Sequence, residues 1–322
     1  MFELLTHSFT FFLAALIIFA CGGVLVHATD RIAKRLRQDG FIVAFVLLGT
    51  LTSLSEMSVA LNATLQGVPQ VSAGNLIGAS FVIFLFIIPF LALFGKGITL
   101  QKTLAQKHLL FAILVIGSPA LFLYDGVLTR SEGAGMVLFY ALLVYYTKMQ
   151  RMTGMSNAFS ALGPSKKTVR LDMVKIFVAA VLIFVSGRFL VTEAVYFSHA
   201  FHIPPSFIGL LIISLGTNMP ELVIAIRAIM EKRKSIAFGD YIGSAAFNTL
   251  TLGVLSLANG RFTMDRHGLL STSIFFSVGL ALFFLFSRSK HTISRFEGLL
   301  LAAVYLTFVV VQGFYIARMA AF

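Results

Sequence analysis

Charged residues are scarce in this chain, and that scarcity decides its class. Only 12% of the 322 residues are charged, whereas 58% are hydrophobic and the mean hydropathy is +0.93. With so little charge, nearly every segment of about 20 residues is apolar enough for a bilayer. The apolar runs are continuous, which excludes the alternating segments of an outer-membrane barrel and disfavours a soluble protein with buried helices. The composition predicts an all-α, multi-pass membrane protein.

Cysteine and tryptophan are also nearly missing. The single cysteine, Cys21, cannot form an intrachain disulfide, and there is no tryptophan. The seven histidines are dispersed and show none of the spacings of a zinc hydrolase. No nucleophile and base stand on segments expected to face each other, which disfavours an intramembrane enzyme. We therefore expect neither enzymatic activity nor a cofactor.

The apolar segments predict ten transmembrane helices, of which the second and seventh are interrupted. The first segment lacks a basic stretch before it, so we interpret it as a true helix rather than a cleaved signal peptide. The ten predicted spans are 8–28, 40–66, 71–95, 107–124, 132–148, 173–196, 205–230, 236–259, 268–287 and 296–317.

The basic residues predict the orientation in the membrane. Loops on one side carry 18 lysines and arginines against four on the other, and the richer side is expected to be cytoplasmic. Both termini are then extracytoplasmic, in what we expect to be the cell (inner) membrane. The net charge of +12 is explained by this topology and by contact with lipid, which disfavours nucleic-acid binding.

The chain contains two copies of one pattern, related by an offset of 165 residues without a gap. Two glutamates, Glu56 and Glu221, occupy equivalent positions in it. A carboxylate in an apolar span is costly and indicates function. The offset superimposes Gly22–Val26 on Gly187–Val191, Thr52–Glu56 on Thr217–Glu221, and Gly74–Gly78 on Gly239–Gly243.

The duplication predicts two five-helix repeats. Because five is odd, the repeats must have opposite orientations in the membrane, and paired carboxylates then suggest a cation site at their interface. We expect residues 1–148 to form the first repeat, 149–172 a short cytoplasmic linker, and 173–322 the inverted second repeat.

The motifs around the two glutamates carry oxygen ligands at helical spacing. Thr52, Ser53 and Glu56 stand at i, i+1 and i+4, and Thr217, Asn218 and Glu221 repeat this arrangement. Proline at position 220 should open the seventh helix and release carbonyl oxygens, which hard cations bind. Ser55 replaces proline in the first copy, so that break is expected to be weaker. For the hydroxyls alone, bonding within their own helix is an equally good interpretation.

The glycine-rich turns that follow should bring the third and eighth helices onto the broken ones. On the eighth helix, Ser244 and Asn248 can direct oxygens at the site, whereas their counterparts Ala79 and Ile83 cannot. Two further acids are predicted to lie outside it. Asp240 is interpreted as a helix N-cap, and Glu193 as an interfacial residue.

These motifs resemble the cation/calcium exchanger superfamily, typified by sodium/calcium exchangers. Residues 216–221 read Gly-Thr-Asn-Met-Pro-Glu, close to the Gly-Thr-Ser-x-Pro-Glu signature of that family, and residues 51–56 are the partner motif. The resemblance implies exchange of calcium for sodium, potassium or protons by alternating access. It also implies calcium ligands at Thr52, Glu56, Thr217 and Glu221, and flanking sodium positions at Ser244, Asn248, Ala79 and Ile83.

The sequence thus predicts a secondary active cation antiporter that moves calcium in exchange for sodium or protons. Its expected partners are the lipid bilayer and small inorganic cations. The alternatives are a cation channel and a drifted member of the family that no longer transports. Ala79 and Ile83 place apolar side chains at two of the sodium positions that the resemblance implies. The sequence therefore predicts a complete calcium site with weakened sodium binding.

Overall fold

The computed structural model describes residues 2–36, 45, 49–99, 106–152, 166–230, 234–263, 266–288 and 292–320. Most of the predicted linker and the start of the predicted second span lie outside these residues. The described chain is almost entirely helical. In chain order the helices are α1 (Phe2–Leu36), α2 (Gly49–Thr52 and Leu54–Leu65), α3 (Pro69–Phe94), α4 (Gln106–Phe122), α5 (Arg130–Met152), α6 (Lys166–Ala200), α7 (Pro205–Met230), α8 (Lys234–Asn259), α9 (Arg266–Arg288) and α10 (Arg295–Ala320).

Eight of the described helices are long and apolar enough to cross a membrane, so the chain is an all-helical membrane protein. The predicted spans 40–66 and 132–148 are not among these eight. The structure describes mainly the second part of the span 40–66. The span 132–148 lies in α5, where the apolar residues are limited to the stretch between Glu132 and Lys148. The eight segments are Glu3–Leu25, Pro69–Phe94, His108–Asp125, Leu171–Ala200, Pro205–Met230, Ala237–Asn259, Leu270–Arg288 and Arg295–Ala317.

Both α2 and α7 are interrupted at one residue, and the two breaks are 165 residues apart. Ser53 and Asn218 have ψ angles of 3° and 10°, which end one helical piece and begin the next. In α7 the break lies two residues before Pro220. Although α2 has no proline there, it is interrupted in the same way. The Ser55 hydroxyl lies 3.0 Å from the Thr52 carbonyl oxygen and supplies a hydrogen bond where the regular ladder is disturbed.

Wider π-helical turns accompany these breaks. In α7 the segment Ile208–Ile213 is π-helical, and Phe45, at the equivalent position before the α2 break, has the same conformation. A third π segment, Ile83–Ile87, lies in α3. Such turns are common at functional sites because they redirect side chains and loosen the backbone ladder.

Two short antiparallel ribbons join connections that are distant in sequence. The strands are β1 (Ile98–Thr99), β2 (Val127–Leu128), β3 (Phe262–Thr263) and β4 (Thr292–Ile293). β1 pairs with β4 and β2 pairs with β3. The connection between α3 and α4 therefore lies beside that between α9 and α10, and the connection between α4 and α5 lies beside that between α8 and α9.

The helices divide into a buried centre and an exposed periphery. In the most apolar part of α3, 83% of the residues are buried, and in that of α8, 72%. The corresponding shares are 28% for α1 and 33% for α6. Apolar side chains such as Phe12 and Phe177 project from α1 and α6. In a membrane protein these surfaces suit lipid, so α3 and α8 form the core on which the broken helices pack.

Polar side-chain contacts join α1 and α6 at both ends, which shows that the two helices are antiparallel. Arg31 Nη2 lies 2.6 Å from Asp172 Oδ1 at one end, and His7 Nδ1 lies 2.6 Å from Glu193 Oε2 at the other. Glu193 is therefore bound to the neighbouring helix, away from the breaks in α2 and α7.

Candidate cation site

The two glutamates occupy equivalent places just after the helix breaks. Glu56 is the third residue of the piece Leu54–Leu65, and Glu221 is the third residue of Met219–Met230. Both side chains are 0% exposed, and their carboxylates interact electrostatically. The N-terminal end of a helical piece favours negative charge because its amide groups are unpaired there. The breaks thus create two favourable places for carboxylates inside the protein.

The threonines of the two motifs form matching contacts with α8 and α3. Thr52 Oγ1 donates to Asp240 Oδ1 over 3.1 Å, and Thr217 Oγ1 donates to Asn75 Oδ1 over 3.2 Å. All four residues obey the 165-residue offset. Each threonine side chain also contacts the glutamate of the other motif. The predicted ligand positions of the two repeats are therefore brought together at one place.

The serines extend this network, with different connections on its two sides. Ser53 Oγ lies 2.7 Å from Ser244 Oγ, and Ser244 Oγ lies 3.2 Å from Glu221 Oε1. On the other side, Ser55 Oγ lies 2.8 Å from Glu56 Oε2. A hydroxyl can donate to a carboxylate or present its own lone pairs to a cation. The structure thus places Ser53 and Ser244 in contact with the Glu221 side of this network, and Ser55 in contact with Glu56.

Asn218 and Asn248 are buried beside these groups but bond differently. Asn218 Nδ2 donates to the Ser214 carbonyl oxygen over 2.7 Å, which holds the amide against its own helix. Asn248, one turn after Ser244, has no hydrogen-bond partner on either amide atom within the described residues. The counterpart positions, Ala79 and Ile83, are fully buried and offer only carbon atoms.

Glycines allow the broken helices to touch the central ones at backbone distance. A Cβ atom on Gly49 would lie 2.7 Å from the backbone of Gly243, and one on Gly243 would overlap the Phe45 carbonyl. In the other half, a Cβ on Gly78 would meet the Leu210 carbonyl. The predicted close packing of the third and eighth helices on the broken ones is confirmed. This packing fixes the distance between the motifs of the two halves.

Several buried oxygens of this region have no hydrogen-bond partner among the described residues. Leaving such atoms unpaired costs about 1–3 kcal/mol each, and more when the group is charged. Carboxylate, amide and carbonyl oxygens are the ligands that hard cations prefer. The site is therefore suited to metal cations that bind through several oxygen ligands. The unpartnered atoms are Glu56 Oε1, Asn218 Oδ1, Glu221 Oε2, Asp240 Oδ2 and Asn248 Oδ1.

The interpretation of Asp240 as a helix N-cap is wrong. α8 begins at Lys234, nearly two turns earlier, and Asp240 is a fully buried residue within the helix. Gly239 suggested a helix start from sequence, but the helix passes through it. The signal that could have placed Asp240 at the site is its 165-residue offset from Asn75, because both residues face the threonine of the opposite motif.

An all-helical membrane protein with buried carboxylates and unpartnered oxygens at two broken helices has the architecture of an ion transporter. Comparison with known proteins identifies its family. The sodium/calcium exchanger protein family matches residues 6–149 and 172–314. The chain belongs to this family and is a cation/calcium antiporter, not an enzyme. No comparison supports the alternative of a channel.

Individual relatives agree with this assignment. CaxA of Alkalimonas amylolytica, named as an antiporter, is 31% identical over 71% of this chain and 73% of its own length. The sodium/calcium exchanger MaX1 of Methanosarcina acetivorans is 24% identical over 97% of this chain and 100% of its own length. A solved structure of the sodium-calcium exchanger NCX_Mj matches with a TM-score of 0.70 at 21% identity, covering 94% of this chain and 97% of that one. The last comparison supports the fold.

Proposed function

We propose that this antiporter moves calcium in exchange for sodium or protons by alternating access around the site between Glu56 and Glu221. The observation that carries the proposal is the pair of fully buried glutamates, each with one unpartnered oxygen, at equivalent helix breaks. Two bidentate carboxylates and the carbonyls of Thr52 and Thr217 would supply about six oxygens, the lower end of what calcium takes. The negative charge offsets the lost hydration of a divalent ion.

Matching contacts in the two halves support the inverted-repeat architecture. The breaks and the threonine contacts follow the 165-residue offset, and Phe45 is π-helical like its counterpart Leu210. The ribbons follow it to within one residue, since β1 corresponds to β3 and β2 to β4. We infer two five-helix repeats, 1–148 and 173–322, joined by residues 149–172 and related by a pseudo-two-fold axis in the membrane plane.

Calcium uptake into proteoliposomes tests the proposed function. The purified protein is reconstituted, and radioactive calcium uptake is followed with sodium, potassium or proton gradients imposed in separate samples. An antiporter accumulates calcium only when a counter-ion leaves the vesicle, and it stalls without one. Calcium entry that ignores the opposing ions would indicate a channel, and absence of flux under all gradients would indicate a family member that no longer transports.

Accessibility of engineered tags tests the orientation. Tags at residues 155 and 290, which lie outside the described residues, should be reached only from the cytoplasm, and tags at both termini only from outside. The basic-residue bias predicts this, and the ribbons support it because each joins two connections assigned to the same side. Protease or thiol-reagent access in intact and permeabilised cells measures it. A cytoplasmic C-terminus would contradict the ten-span arrangement.

The apolar residues Ala79 and Ile83 predict that calcium transport depends only weakly on sodium. Ala79→Ser with Ile83→Asn restores two oxygens at fully buried positions opposite Ser244 and Asn248. We expect this double variant to increase sodium-driven calcium exchange several-fold and to steepen its dependence on sodium concentration. Initial rates of calcium uptake at graded sodium gradients measure both effects.

The matched control is Val82→Asn, which adds the same amide one residue away on the same buried helix. It should produce no gain, because one residue along a helix turns the side chain by about 100°. Steep, multi-ion sodium dependence in the unmodified protein would contradict the prediction, since it would show that other groups replace the missing ligands.

A further inference from the structure

Asp240 is a third buried acid beside the proposed calcium site. Its side chain is fully buried, Oδ1 accepts the Thr52 hydroxyl over 3.1 Å, and Oδ2 has no hydrogen-bond partner among the described residues. It also interacts electrostatically with Glu221. No three acidic, histidine or cysteine side chains within the described residues are close enough together to hold one metal ion. Asp240 is therefore adjacent to the pair of glutamates rather than part of one compact triad.

With all three acids ionised, the negative charge of this region is more than one divalent cation can neutralise. Two glutamate carboxylates balance the charge of a calcium ion, and an ionised Asp240 adds one further negative charge. No lysine or arginine is among the buried residues that the structure describes. An uncompensated buried charge is strongly destabilising. The counterpart in the first repeat is the neutral Asn75, so the excess charge belongs to one side of the site.

We propose that Asp240 binds a monovalent metal cation, sodium or potassium, next to Glu221 while calcium occupies the site between the two glutamates. The Oδ2 atom of Asp240 and the adjacent carboxylate of Glu221 provide the charge, and the Thr52 hydroxyl holds Asp240 in position. This inference rests on the proposed function, because it places the second cation beside the calcium site. It also gives the protein one monovalent ion site despite the apolar residues at positions 79 and 83.

Thermal unfolding of the detergent-purified protein tests the inference. Sodium chloride or potassium chloride is exchanged against choline chloride at constant ionic strength, with calcium saturating or removed by a chelator. A cation that binds only the folded state raises the unfolding temperature with its concentration, here by at least about 2 °C. Asp240→Asn should lose most of the response to the monovalent ion and keep the response to calcium. Asp172→Asn, which removes a buried acid near the start of α6, should keep both responses.

The Asp240→Asn variant is expected to fold, because asparagine at the equivalent position 75 accepts the same kind of threonine bond. A full monovalent response in this variant, or none in the unmodified protein, would overturn the inference. A neutral, protonated Asp240 would give that result. Glu221→Gln separates this failure from failure of the proposed function. If Glu221→Gln loses the calcium response while Asp240→Asn changes nothing, only the inference fails. If Glu221→Gln keeps its calcium response, the proposed calcium site fails.

Discussion

Replacing either Glu56 or Glu221 by glutamine should abolish calcium uptake in proteoliposomes. Each carboxylate supplies negative charge that offsets the hydration a divalent cation loses on entering the protein. Removing one partner from a buried charged interaction costs about 3–5 kcal/mol, equivalent to at least a hundredfold loss of affinity. Glutamine preserves the shape of the side chain, so the variants should still fold and insert. Initial rates of radioactive calcium uptake measure the effect.

Glu193→Gln is the matched control for this pair. It makes the same chemical change at a buried acid of α6, but that acid is paired with His7 on α1 rather than placed at a helix break. We expect it to retain most of its calcium uptake. Uptake near that of the unmodified protein in either Glu56→Gln or Glu221→Gln would remove the basis for the calcium site.

The core of the site could be predicted because a single offset without a gap relates the two copies of the pattern. One offset placed Glu56 opposite Glu221 and Thr52 opposite Thr217, and helical spacing put each threonine and glutamate on a common face. The glycines predicted which helices approach these motifs, and the described contacts agree. Local geometry and symmetry were sufficient for these residues because the breaks are local features.

Contacts between the repeats could not be predicted in the same way. Ser55 was interpreted as a missing proline, yet its hydroxyl lies 3.2 Å from the Thr217 carbonyl oxygen in the other half. Asp240 was interpreted as the N-cap of the eighth helix and was therefore placed outside the site. In the structure α8 continues through Gly239, and Asp240 lies within the helix. Which side chain crosses to the other repeat depends on how the helices are packed, and sequence spacing alone does not contain that information.

The predicted span 132–148, which is not among the eight apolar helices, shows a limit of hydropathy. Helix α5 extends over Arg130–Met152, but charged residues near both ends shorten its apolar part. Helix α7 is broken at Asn218 and is still long and apolar enough to cross a membrane, so a break of this kind does not hide a span.

Replacing Gly243 by alanine should disrupt the site, although Gly243 contributes no side chain to it. In Gly243→Ala the new Cβ would overlap the Phe45 carbonyl, and Gly49 lies against the same backbone. Neither contact involves the end of a flexible side chain, so a helix backbone must move. Overpacking of this kind costs about 1–3 kcal/mol, occasionally more. We expect a lower unfolding temperature and at least a several-fold loss of calcium uptake, because α2 carries Thr52 and Glu56.

Gly313→Ala provides the comparison that isolates this effect. Gly313 is also helical, in α10, but a Cβ placed there has no atom within 4 Å. Alanine is the better helix former by about 1 kcal/mol, so this variant should be neutral or slightly more stable. If Gly243→Ala were equally neutral, the close approach of α8 to α2 would not hold the two motifs together. A loss of uptake in Gly243→Ala with an unchanged unfolding temperature would instead show that the contact sets the geometry of the ligands without limiting overall stability.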